Sequence, residues 1–384
     1  MTYAGERLIL DADSHLMELP DFLSAHADPG TEDLLPRLMD ITTGQFDPSA
    51  FIGKPGHDPE VVADLVKLGD GLTRGPKWHA ALGAFSGPER TVALDLLGFR
   101  AQVVFASFCA RPTFEAPPAH RYPIARAHNR AMAAFCQADP RLIGVALIPL
   151  DDPDEALKEI DRATALGLGA AWIGAEAPGG RSPGHPDLDP VWRTLAERGL
   201  PFILHVGSSS LQIPAPWMND GHPERRTARG GAEVIGSKDL TVIHHASVRF
   251  ISALVLDGVL ERHPGLRGAC VELCAGWVPE LLRRLDWVVK HWSRNDANLQ
   301  GLSRIPSQQM TDQLAFTPFV FEEVGRFIDQ SNPDLYLFSS DYPHIEGGRD
   351  PIGRFEAALG DRTDAIRQKF YADNFLRIFP TAAG

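Results

Sequence analysis

From residue 89 onward the chain alternates short apolar runs with amphipathic stretches of helical length, and this grammar limits its fold more than any other feature. The apolar runs Ala101–Ala106, Leu142–Ile148, Ala170–Ile173, Pro201–His205, Leu266–Glu272, Leu314–Phe316 and Leu335–Phe338 read as strands, and Leu8–His15 supplies one ahead of them. Between them, Arg90–Leu97, Ile124–Ala138, Pro153–Leu166, Leu188–Arg198, His245–Glu261, Trp277–Val289 and Val320–Gln330 read as helices, two of them stopped by Gly98 and Gly167. Strands separated by helices pair in parallel through right-handed crossovers. Eight such units predict an α/β protein of the (β/α)₈ TIM-barrel class with loop insertions. An open doubly wound sheet is the alternative, but the Gly-x-Gly-x-x-Gly that usually follows its first strand is missing.

The 384 residues suit one barrel domain spanning 1–384. Two stretches lie outside the grammar. Residues 18–88, rich in Pro and Gly and containing Thr42–Gln45 and Gly53–Gly56, are expected to form a lid or an arm for a homodimer. A Gly-rich excursion over 207–239 is expected to cover the active-site mouth. With 37 basic and 50 acidic residues the net charge is −13, which disfavours a nucleic-acid partner. Cys109, Cys136, Cys270 and Cys274 form no Cys-x-x-Cys pair and read as reduced core thiols. Residues 1–6 carry no secretion signal, and no apolar run approaches the roughly 18 residues of a membrane span, so a cytoplasmic protein without a membrane partner is expected.

Polar residues sit where the strands end. Alternation along the first strand puts Asp11, Asp13 and His15 on one face. The fifth strand ends in His205, the sixth in Glu272, and the eighth leads to Asp341. In a barrel the strand C-termini converge on the active site, so Asp13, His15, His205, Glu272 and Asp341 would meet. Imidazoles and carboxylates together suit Zn²⁺, Mn²⁺ or Fe²⁺. For Asp13 and Ser14 alone, capping of a following helix is the competing reading.

These residues give the chain a resemblance to the amidohydrolase-related TIM-barrel family of metal-dependent hydrolases, in the branch that contains aminocarboxymuconate-semialdehyde decarboxylase-like enzymes. The resembling pieces are Asp11-Ala12-Asp13-Ser14-His15-Leu16-Met17-Glu18, Leu200–His205, Gly258–Pro264, Glu272 with Gly276-Trp277-Val278-Pro279, and Ser339-Ser340-Asp341-Tyr342-Pro343-His344. By resemblance, Asp13, His15, His205 and Asp341 hold one divalent metal, zinc in first place with manganese and iron open. Two departures stand out. Asp13 occupies a position where many relatives have His, and Val271-Glu272-Leu273 replaces a strand-six His of the well-studied decarboxylases. No lysine lies between Ala170 and Ala175, which argues against a carbamylated lysine bridging two metals.

The remaining candidates divide by role. Asp341, His245 and Glu272 are the catalytic candidates, with His245 preferred over His244. Asp11, Glu18, His244 and His344 are assigned to substrate contact or to support behind the ligands. His120, His128, His185, His222 and His263 read as surface or structural, and Trp277 and Phe105 as core. Arg111, Lys238 and Arg249 are candidate anchors for a substrate carboxylate. The expected function is hydrolysis of a small carboxylate- or carbonyl-bearing substrate by a metal-activated water, with Asp341 as base. The alternative is non-oxidative decarboxylation of an aromatic or enol carboxylic acid. Retention of all four ligand positions speaks against a third possibility, a barrel that only binds a partner. Replacing Asp13→Ala is expected to strip the purified protein of most of its bound divalent metal, measured by elemental analysis; full metal content in that variant would overturn the assignment.

Overall fold

The computed structural model describes residues 1–38, 47–209, 213–221, 229–230, 233–234 and 237–380. Seven strands form one sheet in chain order: β1 (Leu10–Leu16), β2 (Ala101–Ala106), β3 (Leu142–Leu147), β4 (Ala170–Trp172), β5 (Phe202–His205), β6 (Gly268–Val271) and β7 (Leu314–Phe316). Every pairing is parallel. All their residues are buried, as a sheet covered on both faces requires. Their near-continuous apolar composition follows from that double burial.

The eighth position is filled without a ladder. The Leu337 N–H donates to Phe316 O at 3.0 Å on one side. On the other, Ala12 N–H donates to Phe338 O at 3.0 Å, Asp341 N–H to Asp13 O at 2.8 Å, and His15 N–H to Tyr342 O at 2.8 Å. Segment 335–342 therefore joins β7 to β1 and curls the sheet closed. The expected strand at Leu335–Phe338 makes one isolated bridge, Tyr336 with Phe316, and a second, Tyr342 with Ser14, follows beyond it. A 3₁₀ turn at Pro333–Leu335 and a left-handed Asp341, with φ 52°, leave the extended run too short for more.

Two helices also depart from expectation. The helix expected through Glu261 ends at Leu256, because Gly258 adopts φ 73° and starts a separate turn at Val259–Arg262. The one expected from Val320 begins at Val324, since the preceding loop folds around Glu322, whose carboxylate accepts the Phe319 N–H at 2.8 Å. By length and composition Ser237–Leu256 is apolar enough to cross a membrane, whereas the sequence reading found no such run. Within it, His245–Leu256 buries Ala246, Phe250, Ile251, Leu254 and Val255 in the hydrophobic core. All four cysteines are free thiols.

The described part of the 18–88 insertion is ordered around 3₁₀ turns and one helix, Pro59–Val66. It is tied to the strand-end side of the barrel. Lys77 Nζ donates to Gly348 O at 2.8 Å, Trp78 N–H to Pro343 O at 3.0 Å, and Tyr342 Oη to Leu82 O at 2.9 Å. Thr42–Gln45, His222 and much of the 207–239 excursion lie outside the described residues.

Barrel packing is tight where β5 meets β6. A Cβ on Gly268 would stand 2.3 Å from Cζ of Phe202, a buried ring that packs edge-on against Trp192. The substitution Gly268→Ala is therefore expected to destabilise the fold by about 1–3 kcal/mol through overpacking, read from urea unfolding.

Candidate metal centre

β1 delivers two donors through an irregularity. Asp11 is opposite Gln102 on β2 but Ser14 is opposite Val104, so three steps along β1 match two along β2. A slip of this kind re-aims side chains. The expected common face of Asp11, Asp13 and His15 is thereby broken. Asp13 and His15 turn into the mouth of the barrel, and Asp11 turns into its wall.

In the mouth, His15 Nε2 lies 3.3 Å from Asp13 Oδ1, 3.5 Å from Asp341 Oδ1 and 3.9 Å from Glu272 Oε2. His205 Nε2 lies 3.5 Å from Asp13 Oδ1 and 3.4 Å from Glu272 Oε2. Donors bound to one ion at about 2.0–2.2 Å stand roughly 3–4 Å from one another, so these spacings fit a shared cation. The tightest group is Asp13, His15, His205 and Glu272, and Asp341 forms a second with His15 and His344. Glu272, read from sequence as catalytic, thus stands among the donors. It leaves β6 with φ 55°, a left-handed turn that a strand pattern does not reveal.

Burial makes the need for a cation acute. Among the described residues, Asp13 Oδ1, both ring nitrogens of His15, His205 Nε2 and both carboxylate oxygens of Asp341 are buried without hydrogen-bond partners. Buried polar atoms are nearly always paired, and a divalent ion at this point would engage one nitrogen of each imidazole together with the carboxylate oxygens. The tautomer of His205 suits the task, because its Nδ1 sits 2.9 Å from the Val206 carbonyl, which can only accept, and Nε2 is left as a lone pair. Burial and the adjacent His344 pull His15 down to about 3, keeping its imidazole neutral. Burial works against ionising Asp13, but contact with His15 and His205 outweighs it and holds the carboxyl below its usual range. Asp341 is pushed up by burial, against the pull of His344.

Behind the donors, Asp11 acts as a clamp. Its Oδ1 accepts the Ser340 N–H at 2.7 Å, and its Oδ2 accepts Ser340 Oγ at 2.5 Å and Gln102 Nε2 at 2.8 Å. Burial nevertheless raises its pKa to about 7. The fully buried Arg90 donates to Gln102 Oε1 at 3.0 Å and to the His15 carbonyl, so one network holds both strand ends. Arg90 was legible only as the start of a helix, because nothing local marks an arginine as buried.

His344 stacks on His15 with ring centroids 3.8 Å apart, and its Nδ1 lies 3.2 Å from Asp341 Oδ1. Glu18 is buried and points at backbone N–H groups of the loop after β2 rather than at the donors. His244 is half-buried and stacked on Trp277, while His245 is exposed and meets His244 edge-on. The preference for His245 is therefore not supported by its position: of the two, His244 is the ring turned toward the loop that follows Glu272. Among the expected anchors, Arg111 pairs with Glu115, Lys238 donates to the Trp217 carbonyl, and Arg249 is exposed on its helix. A cation within electrostatic reach of Asp341 is Lys77, which burial pulls down to about 8. Its place in an irregular stretch hid it.

Comparison with known proteins agrees with this architecture. A family model described as Amidohydrolase matches residues 99–381, which include His205, Glu272 and Asp341. A gamma-resorcylate decarboxylase of Rhodococcus jostii is 31% identical over 262 residues, covering 64% of this chain and 73% of that protein. The fold is similar to an amidohydrolase from Mycobacterium avium subsp. paratuberculosis, with TM-score 0.73 at 21% identity over 97% of this chain and 99% of that one. It is also similar to a manganese complex of 5-carboxyvanillate decarboxylase from Novosphingobium aromaticivorans, with TM-score 0.66 at 17% identity over 99% and 98% of the two chains.

Replacing Asp11→Asn would set an amide NH₂ against the donors of Ser340 or Gln102. The expected loss is about 1–3 kcal/mol of folding stability, checked by urea denaturation of the metal-free protein.

Proposed function

The chain belongs to the amidohydrolase family, and from that premise we propose that it is a divalent-metal-dependent, non-oxidative decarboxylase of a small aromatic carboxylic acid. The observation that carries this reading is the convergence of Asp13, His15, His205, Glu272 and Asp341 at the strand ends of a chain 31% identical to a gamma-resorcylate decarboxylase. Three carboxylates and two imidazoles form an oxygen-rich donor set, which favours manganese over the zinc expected from sequence. Held by these residues, a divalent ion would supply Lewis-acid polarisation of the substrate.

The chain's own residues do the rest. Asp341, whose protonated form burial favours, delivers a proton to the ring carbon that bears the carboxylate. The bond from that carbon to the carboxylate then breaks, its electron pair restores the aromatic ring, and CO₂ leaves. Solvent returns a proton to Asp341. His344 holds the Asp341 carboxylate from the side. Lys77 and Trp78, the latter's ring 5.7 Å from that of His344, bring the 18–88 insertion against the mouth, so we assign it the role of a lid rather than a dimer arm.

Hydrolysis remains the second reading because of Glu272. A carboxylate at this strand-six position is suited to accepting a proton from water. The two readings separate in one experiment. Purified protein supplied with Mn²⁺ and ortho-hydroxybenzoates such as gamma-resorcylate, in ¹⁸O water, is expected to release CO₂ and leave the ring product unlabelled. Turnover of ester, amide or carbonyl substrates that puts ¹⁸O into a product acid, without CO₂ release from any benzoate, would overturn decarboxylation in favour of hydrolysis.

A further inference from the structure

The loop after β2 holds a hydroxyl that bears on the metal centre from behind. Ser107 Oγ stands 2.9 Å from the Leu16 carbonyl and 2.8 Å from His344 Nε2. A carbonyl only accepts, and the hydroxyl has one proton, so Ser107 donates to Leu16 and accepts from the Nε2–H of His344. The serine thereby fixes the ring orientation of His344 and keeps a proton on its Nε2. That ring touches two donors at once, stacking on His15 and meeting Asp341 through Nδ1.

The position of the serine is itself fixed. Glu18 Oε2 accepts the Ser107 N–H at 2.9 Å, and its Oε1 accepts those of Phe108 at 2.8 Å and Cys109 at 3.0 Å. Three backbone N–H groups on one buried carboxylate leave the loop little freedom.

We propose that Ser107, held by Glu18, is a positioning residue of the metal centre, setting the His15 imidazole and the Asp341 carboxylate through His344. It touches neither metal nor substrate. The inference rests on the metal-centre part of the functional reading and is independent of whether the reaction is decarboxylation or hydrolysis. Partners behind metal ligands typically account for ten- to hundred-fold in metal affinity.

The test is calorimetric titration of the full-length, metal-free protein with Mn²⁺, alongside its thermal midpoint. Ser107→Ala is expected to weaken Mn²⁺ binding about tenfold without lowering the midpoint of the metal-free protein, and Ser107→Thr, which keeps the hydroxyl, to bind like the wild type. Wild-type affinity in Ser107→Ala, or equal losses in the Ala and Thr variants, would overturn the positioning role and leave the metal centre standing. A wild-type protein that binds neither Mn²⁺ nor Zn²⁺ would overturn both.

Discussion

Closure of the barrel between β1 and segment 335–342 is the constraint on which the rest depends. It is made by few bonds, and they are the ones that bear on the site. The Asp341 N–H is bonded to the carbonyl of Asp13, and Asp11 grips the Ser340 main chain and side chain together. The two ends of the polypeptide, more than 300 residues apart in sequence, are thus brought into register by the same contacts that set two candidate metal donors side by side. Opening that seam would separate His15 from Asp341 as well as unroll the sheet.

A second theme is the use of buried carboxylates to finish loops that regular structure does not. Glu18 takes the N–H groups of the loop after β2, and Glu322 takes those of Ala275, Gly276 and Phe319 around the loop after β6. Backbone N–H groups taken out of water need acceptors, and an ionised carboxylate is a strong one. Each of these acids sits one layer behind a donor-bearing strand end. Burial raises the pKa of both, and the N–H groups they accept oppose that rise.

The chemistry assigned to the site follows from a shortage of hydrogen-bond partners. Unpaired carboxylate oxygens and imidazole nitrogens confined to one buried space cannot be accounted for by packing, since leaving such groups unsatisfied costs about 1–3 kcal/mol each. They make sense around a cation. What differs from the sequence reading is the role of Glu272. It was read as a catalytic group outside the four ligand positions, and it lies as close to His205 as Asp13 does. This shifts the donor set toward oxygen and bears directly on the choice of ion.

The alternation of strand and helix, the convergence of residues at strand ends and the pairing of Asp13 with His15 were all legible in the sequence, because each depends on a local period or on a rule common to all barrels. The tertiary structure alone decided three things. The slip in β1 sent Asp11 into the wall, since register belongs to the pair of strands and not to either one. The left-handed turn at Glu272 brought its carboxylate among the donors, and no pattern of side chains announces a backbone angle. Arg90, Ser107 and Lys77 acquired roles only through neighbours distant in sequence, where a hydrogen bond of ordinary length depends on how the whole barrel closes.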